Sequence, residues 1–192
     1  MKLWCKAHHV WFVCIALVVA IIAELFFGGL LIGMPAFVYA DTNLVLSLIA
    51  AMPLIVAISI CFDGNEPDVG VPVRNTVLLD YAAFAIIVLT LVAVGFAAIP
   101  LIGYAGICSA LAVLGCGALG VVCSRLFGRK TGGAIGPVYI VVCCAVGTPP
   151  MRDPAAWQFP LAVTPTLAQF LVVLALVVVM LWTPPHPERR IA

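Results

Sequence analysis

Of the 192 residues, 65% are hydrophobic and 9% charged, with a mean hydropathy of +1.26; ordinary soluble domains carry roughly a quarter charged residues. A chain of this composition cannot cover itself with a solvated surface, so it is expected to be an integral membrane protein with the lipid bilayer as its first partner. The net charge of +1, with no long basic tract, excludes a nucleic-acid partner.

The chain opens with Lys2 and Lys6 ahead of an apolar run from Val10 to Met34. Val38-Tyr39-Ala40 resembles a signal cleavage site, but the run far exceeds the roughly 7–15 residues of a signal core. At about 1.5 Å per residue it is long enough to cross a ~30 Å hydrocarbon layer, so it is expected to stay in the mature protein as the first span. Glu24 lies near its middle. A carboxylate at bilayer depth costs several kcal/mol and faces other helices or water rather than lipid. Ala16, Ala20, Glu24 and Gly28 recur every fourth residue, which places three small side chains and the acid on one stripe where another backbone can come close. Glu24 is therefore either a polar point in a substrate or ion path or a hydrogen-bonded packing residue.

Six apolar stretches follow from hydropathy and punctuation: residues 10–34, 44–62, 77–99, 101–124, 134–148 and 166–182. They predict an all-α, polytopic helix bundle forming a single transmembrane domain over residues 1–192. The second stretch contains Pro53, which removes a backbone donor and predicts a kink. In the fourth, Cys108, Ala112, Cys116, Gly120 and Ser124 put a small residue at every fourth position, and Ala112, Cys116 and Gly120 are the central candidates for close helix packing. The fifth is short, about 15 residues, flanked by Gly132-Gly133 and Pro149-Pro150. The cysteines Cys14, Cys61, Cys108, Cys116, Cys123, Cys143 and Cys144 fall in or at the ends of apolar stretches without zinc-type spacing, and read as small packing residues.

Two connections are longer than a hairpin needs. Residues 63–75 hold Asp63, Glu66, Asp68 and Arg74 among Gly and Pro, as a solvated connector or a docking element would. Residues 149–165 combine five prolines with Trp157, Phe159 and Leu161, too polar to span and too aromatic to float free; this segment is expected to lie at the interface or dip back as a short broken hairpin.

Orientation follows from the basic residues, which are kept on the cytoplasmic side of short loops. With both termini cytoplasmic, Lys2, Lys6, Arg74, Arg125, Arg129, Lys130, Arg189 and Arg190 are all inside, and only Arg152 is outside. The expected location is a cell membrane. No H-E-x-x-H, G-x-S-x-G, in-span aspartate pair or phosphate-binding loop is present, so no catalytic residue, metal ligand or cofactor site is assigned and the chain is not expected to be an enzyme. Active transport would need an ATPase from another chain.

In its architecture the chain resembles a compact permease subunit of the type-2 ATP-binding-cassette (ABC) exporters. The likeness rests on the six-span plan with both ends inside, the 63–75 connection leading into Arg74, the Ser124-Arg125-Leu126-Phe127-Gly128-Arg129 turn before a short fifth span, and the Pro- and Trp-rich segment before the sixth. The resemblance implies an exporter subunit that pairs with a second permease subunit and a separate ATPase. It implies ATPase docking through Glu66, Asp68 and Arg74, and an external re-entrant hairpin before the last span. A substrate-binding subunit of an energy-coupling-factor importer and a non-transporting immunity or assembly factor are the alternatives left open by the residues themselves.

Overall fold

The computed structural model describes residues 10–39, 42–62, 76–148 and 153–183. Among these residues the chain forms six α-helices, one β-hairpin and a short 3-10 segment. In order they are α1 (Val10–Phe27), β1 (Leu31–Met34), β2 (Thr42–Val45), α2 (Leu46–Cys61), α3 (Thr76–Ile102), α4 (Ala105–Phe127), α5 (Arg129–Val146), the 3-10 segment Ala156–Leu161 and α6 (Leu167–Trp182). The molecule is thus mostly helical. Three helices are long and apolar enough to cross a membrane, namely α1, the Tyr81–Ile102 part of α3, and α4, while α2, α5 and α6 are shorter apolar helices.

The bundle is organised around α4, which packs against α2, α3, α5, α6 and the 3-10 segment. Burial sets it apart: 78% of its most apolar stretch is enclosed, against 28% in α1 and 17% in α3. Small residues make this possible. Gly, Ala, Ser and Cys side chains let neighbouring backbones approach, and without a hydrophobic drive between helices in lipid, such close packing is what holds a bundle together. The outward faces of α1, α3 and α6 carry exposed Phe12, Ile22, Ile86, Leu89, Leu171 and Leu174, side chains suited to hydrocarbon.

The first apolar run departs from the expected single span. Helix α1 stops at Phe27, the Gly28 N–H closes its last turn on the Glu24 carbonyl at 2.9 Å, and the chain then enters β1. The Gly28-Gly29 pair ends the helix because glycine pays no Cβ penalty beyond a helix C-terminus. Strand β1 pairs antiparallel with β2, Leu31 opposite Val45 and Met34 opposite Thr42, so the fold is not purely α-helical. The hairpin is tied down rather than free: Leu44 and Val45 are buried, and the Phe37 and Tyr39 N–H groups donate to the carbonyls of Ala145 and Val146 at 2.8 and 3.1 Å.

Other boundaries shift for local reasons. Helix α2 runs through Pro53, whose ring faces outward. Helix α3 continues through Pro100 and turns at Gly103, which takes the left-handed φ of 65° that permits so short a link to α4. Helix α5 begins at Arg129, earlier than the hydropathy boundary at 134. Its glycines are interior because they face other helices: a Cβ on Gly132 would collide with Ser124, and one on Gly136 with Ile55.

Candidate functional site

At the end of the bundle that carries the β-hairpin, Glu24 is 7% exposed. It lies in the last turn of α1, not at mid-helix, because Gly28-Gly29 shortens that helix. Ala16, Ala20 and Gly28 on the same stripe are also buried, so the acid faces protein. Ser47, in the first turn of α2, and Ser109, near the start of α4, present their hydroxyls to the carboxyl group. Two glycines leave room for it: a Cβ on Gly28 would come within 2.7 Å of Oε1, and one on Gly106 within 3.4 Å. Since α2 and α4 both begin here, the positive ends of two helix dipoles converge on the carboxylate. Gly106 in turn meets Gly95 of α3, where an added Cβ would stand 3.2 Å from the Gly95 Cα, so four helices close round one acid.

The opposite end holds Arg125, which is 4% exposed. Its Nη1 donates to the carbonyls of Met180 (2.6 Å) and Thr183 (2.8 Å), and Nη2 to that of Phe62 (3.3 Å). Phe62 follows the last turn of α2, and Met180 and Thr183 end α6. One guanidinium therefore satisfies carbonyls that helix ends leave without intrahelical partners and sits at the negative poles of two helices. In the sequence Arg125 is legible as an inner-boundary charge and as part of the turn before the short fifth span, not as a buried clamp. Its position in the last turn of an apolar helix, just before Leu126-Phe127, is a signal for a buried cation. Arg125 cannot neutralise Glu24, because the span from Ser109 to Arg125 along α4 is about 24 Å.

The small-residue ladder of α4 is enclosed from end to end, with Ala112 at 1% and Cys116 and Ser124 at 0% exposure. Gly120 faces Ser59 of α2 and the Gly132 carbonyl of α5, and the Ser124 hydroxyl donates to the Ser59 carbonyl at 2.7 Å. Polar hydrogen bonding and close approach thus coincide on one seam. Cys108, Cys116, Cys143 and Cys144 are buried thiols that fill space. Among the described residues no cluster of three or more His, Cys, Asp or Glu side chains is placed to hold a metal ion.

The segment before α6 enters the bundle. Phe159 and Leu161 are buried, as is Gln158 at 1% exposure. Phe159 stacks on Tyr139 of α5 with ring centroids 5.5 Å apart, and a Cβ on Gly115 would lie 2.6 Å from its ring. Gly115 is close to the midpoint of α4, about 15 Å along the axis from Ala105. The turn meets its polar needs internally: Gln158 Nε2 donates to the Gly147 carbonyl at 2.6 Å, the Ala155 N–H donates to Gln158 Oε1 at 3.1 Å, and the Tyr139 hydroxyl donates to the Trp157 carbonyl. Helix α6 then starts with a capping box, in which the Thr166 N–H donates to Gln169 Oε1 at 3.0 Å and the Gln169 N–H to Thr166 Oγ1 at 3.3 Å.

Glu66, Asp68 and Arg74 lie outside the described residues, as does Arg152. Among the described residues the geometry is that of a helical bundle, three of whose helices are long and apolar enough to cross a membrane, with a buried Glu24 at one end, a buried Arg125 at the other and an irregular segment inserted between its helices. No protein-family model, curated protein or solved structure matches the chain.

Proposed function

We propose that this chain is the membrane-spanning permease subunit of an ATP-driven exporter of the type-2 ABC class, working as a dimer or beside a homologous subunit and driven by a separate ATPase. In this reading α1 to α6 are six spans, both termini are cytoplasmic, the hairpin end is external and the Arg125 end is internal. The observation that carries the reading is the inserted segment ahead of α6, with Phe159 against Gly115 at mid-helix. Non-helical backbone at such depth is tolerated only where protein buries it or a water-filled cavity meets it, and transport folds use such segments to line or close a path.

The inner end supplies a route for force. The 63–75 connection, with Glu66, Asp68 and Arg74 as its docking candidates, leaves α2 directly after Phe62, whose carbonyl Arg125 holds. A docked ATPase that moves this connection pulls on α2 and, through Arg125, on α4 and α6. Affinity purification from native membranes tests the reading. An ATP-binding chain with a Walker motif should co-purify, and Asp68→Lys combined with Arg74→Glu should release it. Recovery of the chain with no ATP-binding partner sinks the proposal; a retained small ligand would then favour an importer's substrate-binding subunit, and resistance conferred by the isolated chain an immunity factor.

A further inference from the structure

The end of α5 carries three consecutive carbonyls, those of Ala145, Val146 and Gly147, which no further helical turn satisfies. Each is taken by another part of the chain. In the hairpin loop, the Phe37 and Tyr39 N–H groups donate to Ala145 and Val146 at 2.8 and 3.1 Å. From the inserted segment, Gln158 Nε2 donates to Gly147 at 2.6 Å. Gly147 itself takes a left-handed φ of 73°, and its N–H closes the last turn on the Cys143 carbonyl at 3.0 Å. The two elements also meet directly, since β2 packs against the 3-10 segment.

The hairpin is held unevenly. At its base Leu44 and Val45 are buried, whereas at its tip Phe37 is 90% and Val38 64% exposed. Those side chains do not seat the loop; its backbone bonds to α5 do. Elements with few buried apolar contacts open locally at low cost, so the tip is the part most easily released. Gln158 and Phe159 of the inserted segment are buried and form the deep part. The end of α5 is the piece both share.

We propose that the hairpin loop and the inserted segment are one coupled closure of this end of the bundle, latched together on the last carbonyls of α5. Withdrawal of Gln158 frees the Gly147 carbonyl, loosens the turn that positions Ala145 and Val146, and releases the loop. Release of the loop in turn loosens the seat of Gln158, and with it Phe159. The use of this closure as a gate rests on the transport reading; the coupling itself belongs to the isolated chain.

Residue-resolved amide hydrogen exchange on the purified full chain in detergent tests the coupling without any ATPase, so its outcome is separate from that of the exporter reading. Gln158→Leu keeps bulk and removes the side-chain donor. The Phe37 and Tyr39 amides should then exchange about fivefold faster or more, the scale of one lost hydrogen bond. The Gly28 and Leu46 amides, bonded to the Glu24 and Leu30 carbonyls at the base of the hairpin, should not change. Coupling is reciprocal, so Phe37→Pro, which removes one loop donor, should speed exchange at the Gln158 amide. Unchanged exchange at Phe37 and Tyr39 in Gln158→Leu overturns the proposal, as does a uniform rise that includes Gly28 and Leu46. Should Gln158→Leu fail to fold, Phe37→Pro decides, and an unaltered Gln158 amide overturns the latch.

Discussion

Phe159 covers Gly115 so closely that a Cβ at Gly115 would lie 2.6 Å from the ring. The contact joins the segment before α6 to the middle of the central helix, and it exists only because residue 115 has no side chain. Phe159→Ala should destabilise the fold by roughly 3 kcal/mol, the usual scale for emptying a buried aromatic site. Gly115→Ala should also destabilise it, by forcing the ring out. In the double variant the new methyl occupies vacated space, so the combined loss should be less than the sum. Chemical or thermal unfolding in detergent measures all three, and strict additivity would show that the ring does not rest on Gly115.

The seam between α2, α4 and α5 yields a second expectation. Gly120→Leu drives a side chain into Ser59 and the Gly132 carbonyl, and Ala112→Leu adds bulk where 1% of the residue is exposed. Both should abolish folding or assembly, because overfilled helix contacts separate the backbones. Leu119 is only partly buried, and Leu119→Ala should be milder. Expression level and monodispersity on size-exclusion chromatography give the comparison; three equivalent profiles would place the stripe against lipid.

Arg125 ties three carbonyls with one guanidinium. Hydrogen bonds to a charged group contribute about 1.5–3 kcal/mol each, and removing a buried partner leaves the others unmet. Arg125→Gln should therefore lower stability by about 3 kcal/mol or more and loosen the ends of α2 and α6, visible as faster amide exchange at Phe62 and Thr183. Arg125→Lys retains the charge without the planar fork and should fall between the two. Unaltered exchange at both positions in Arg125→Gln would remove the residue from its clamping role.

The proposed orientation makes Lys130 internal and Asp153 external, and both side chains are exposed. On a cysteine-free background, Asp153→Cys should react with an impermeant maleimide in intact cells. Lys130→Cys should react only after the membrane is opened. Labelling of position 130 from outside would discard the six-span arrangement with cytoplasmic termini.

Composition and punctuation by themselves determine much of this protein. The apolar stretches after the first predict helices whose ends the structure places within about five residues, the four-residue ladders of α1 and α4 mark their buried stripes, and the aromatic, proline-rich segment announces a broken element. Some signals were legible in the sequence but outweighed by hydropathy. Gly28-Gly29 is a helix stop, and Thr166-Leu167-Ala168-Gln169 spells a capping box. Hydropathy averages over a window and cannot see a two-residue terminator inside an apolar run, so Glu24 reads as mid-span when it closes α1.

Other features belonged to tertiary structure alone. Nothing local to Ser47, Gly106 or Ser109 predicts that they meet Glu24, because three different helices must first be packed with their ends aligned. Arg125 has no sequence neighbour that would satisfy it; its partners are the carbonyls of Phe62, Met180 and Thr183, available only where α2 and α6 end beside α4. The depth reached by Phe159 likewise depends on a glycine far away in the chain. Sequence periodicity determines which face of each helix is buried, but a contact between helices depends on where each one ends and which side chain is missing opposite, and that is decided only when the bundle closes.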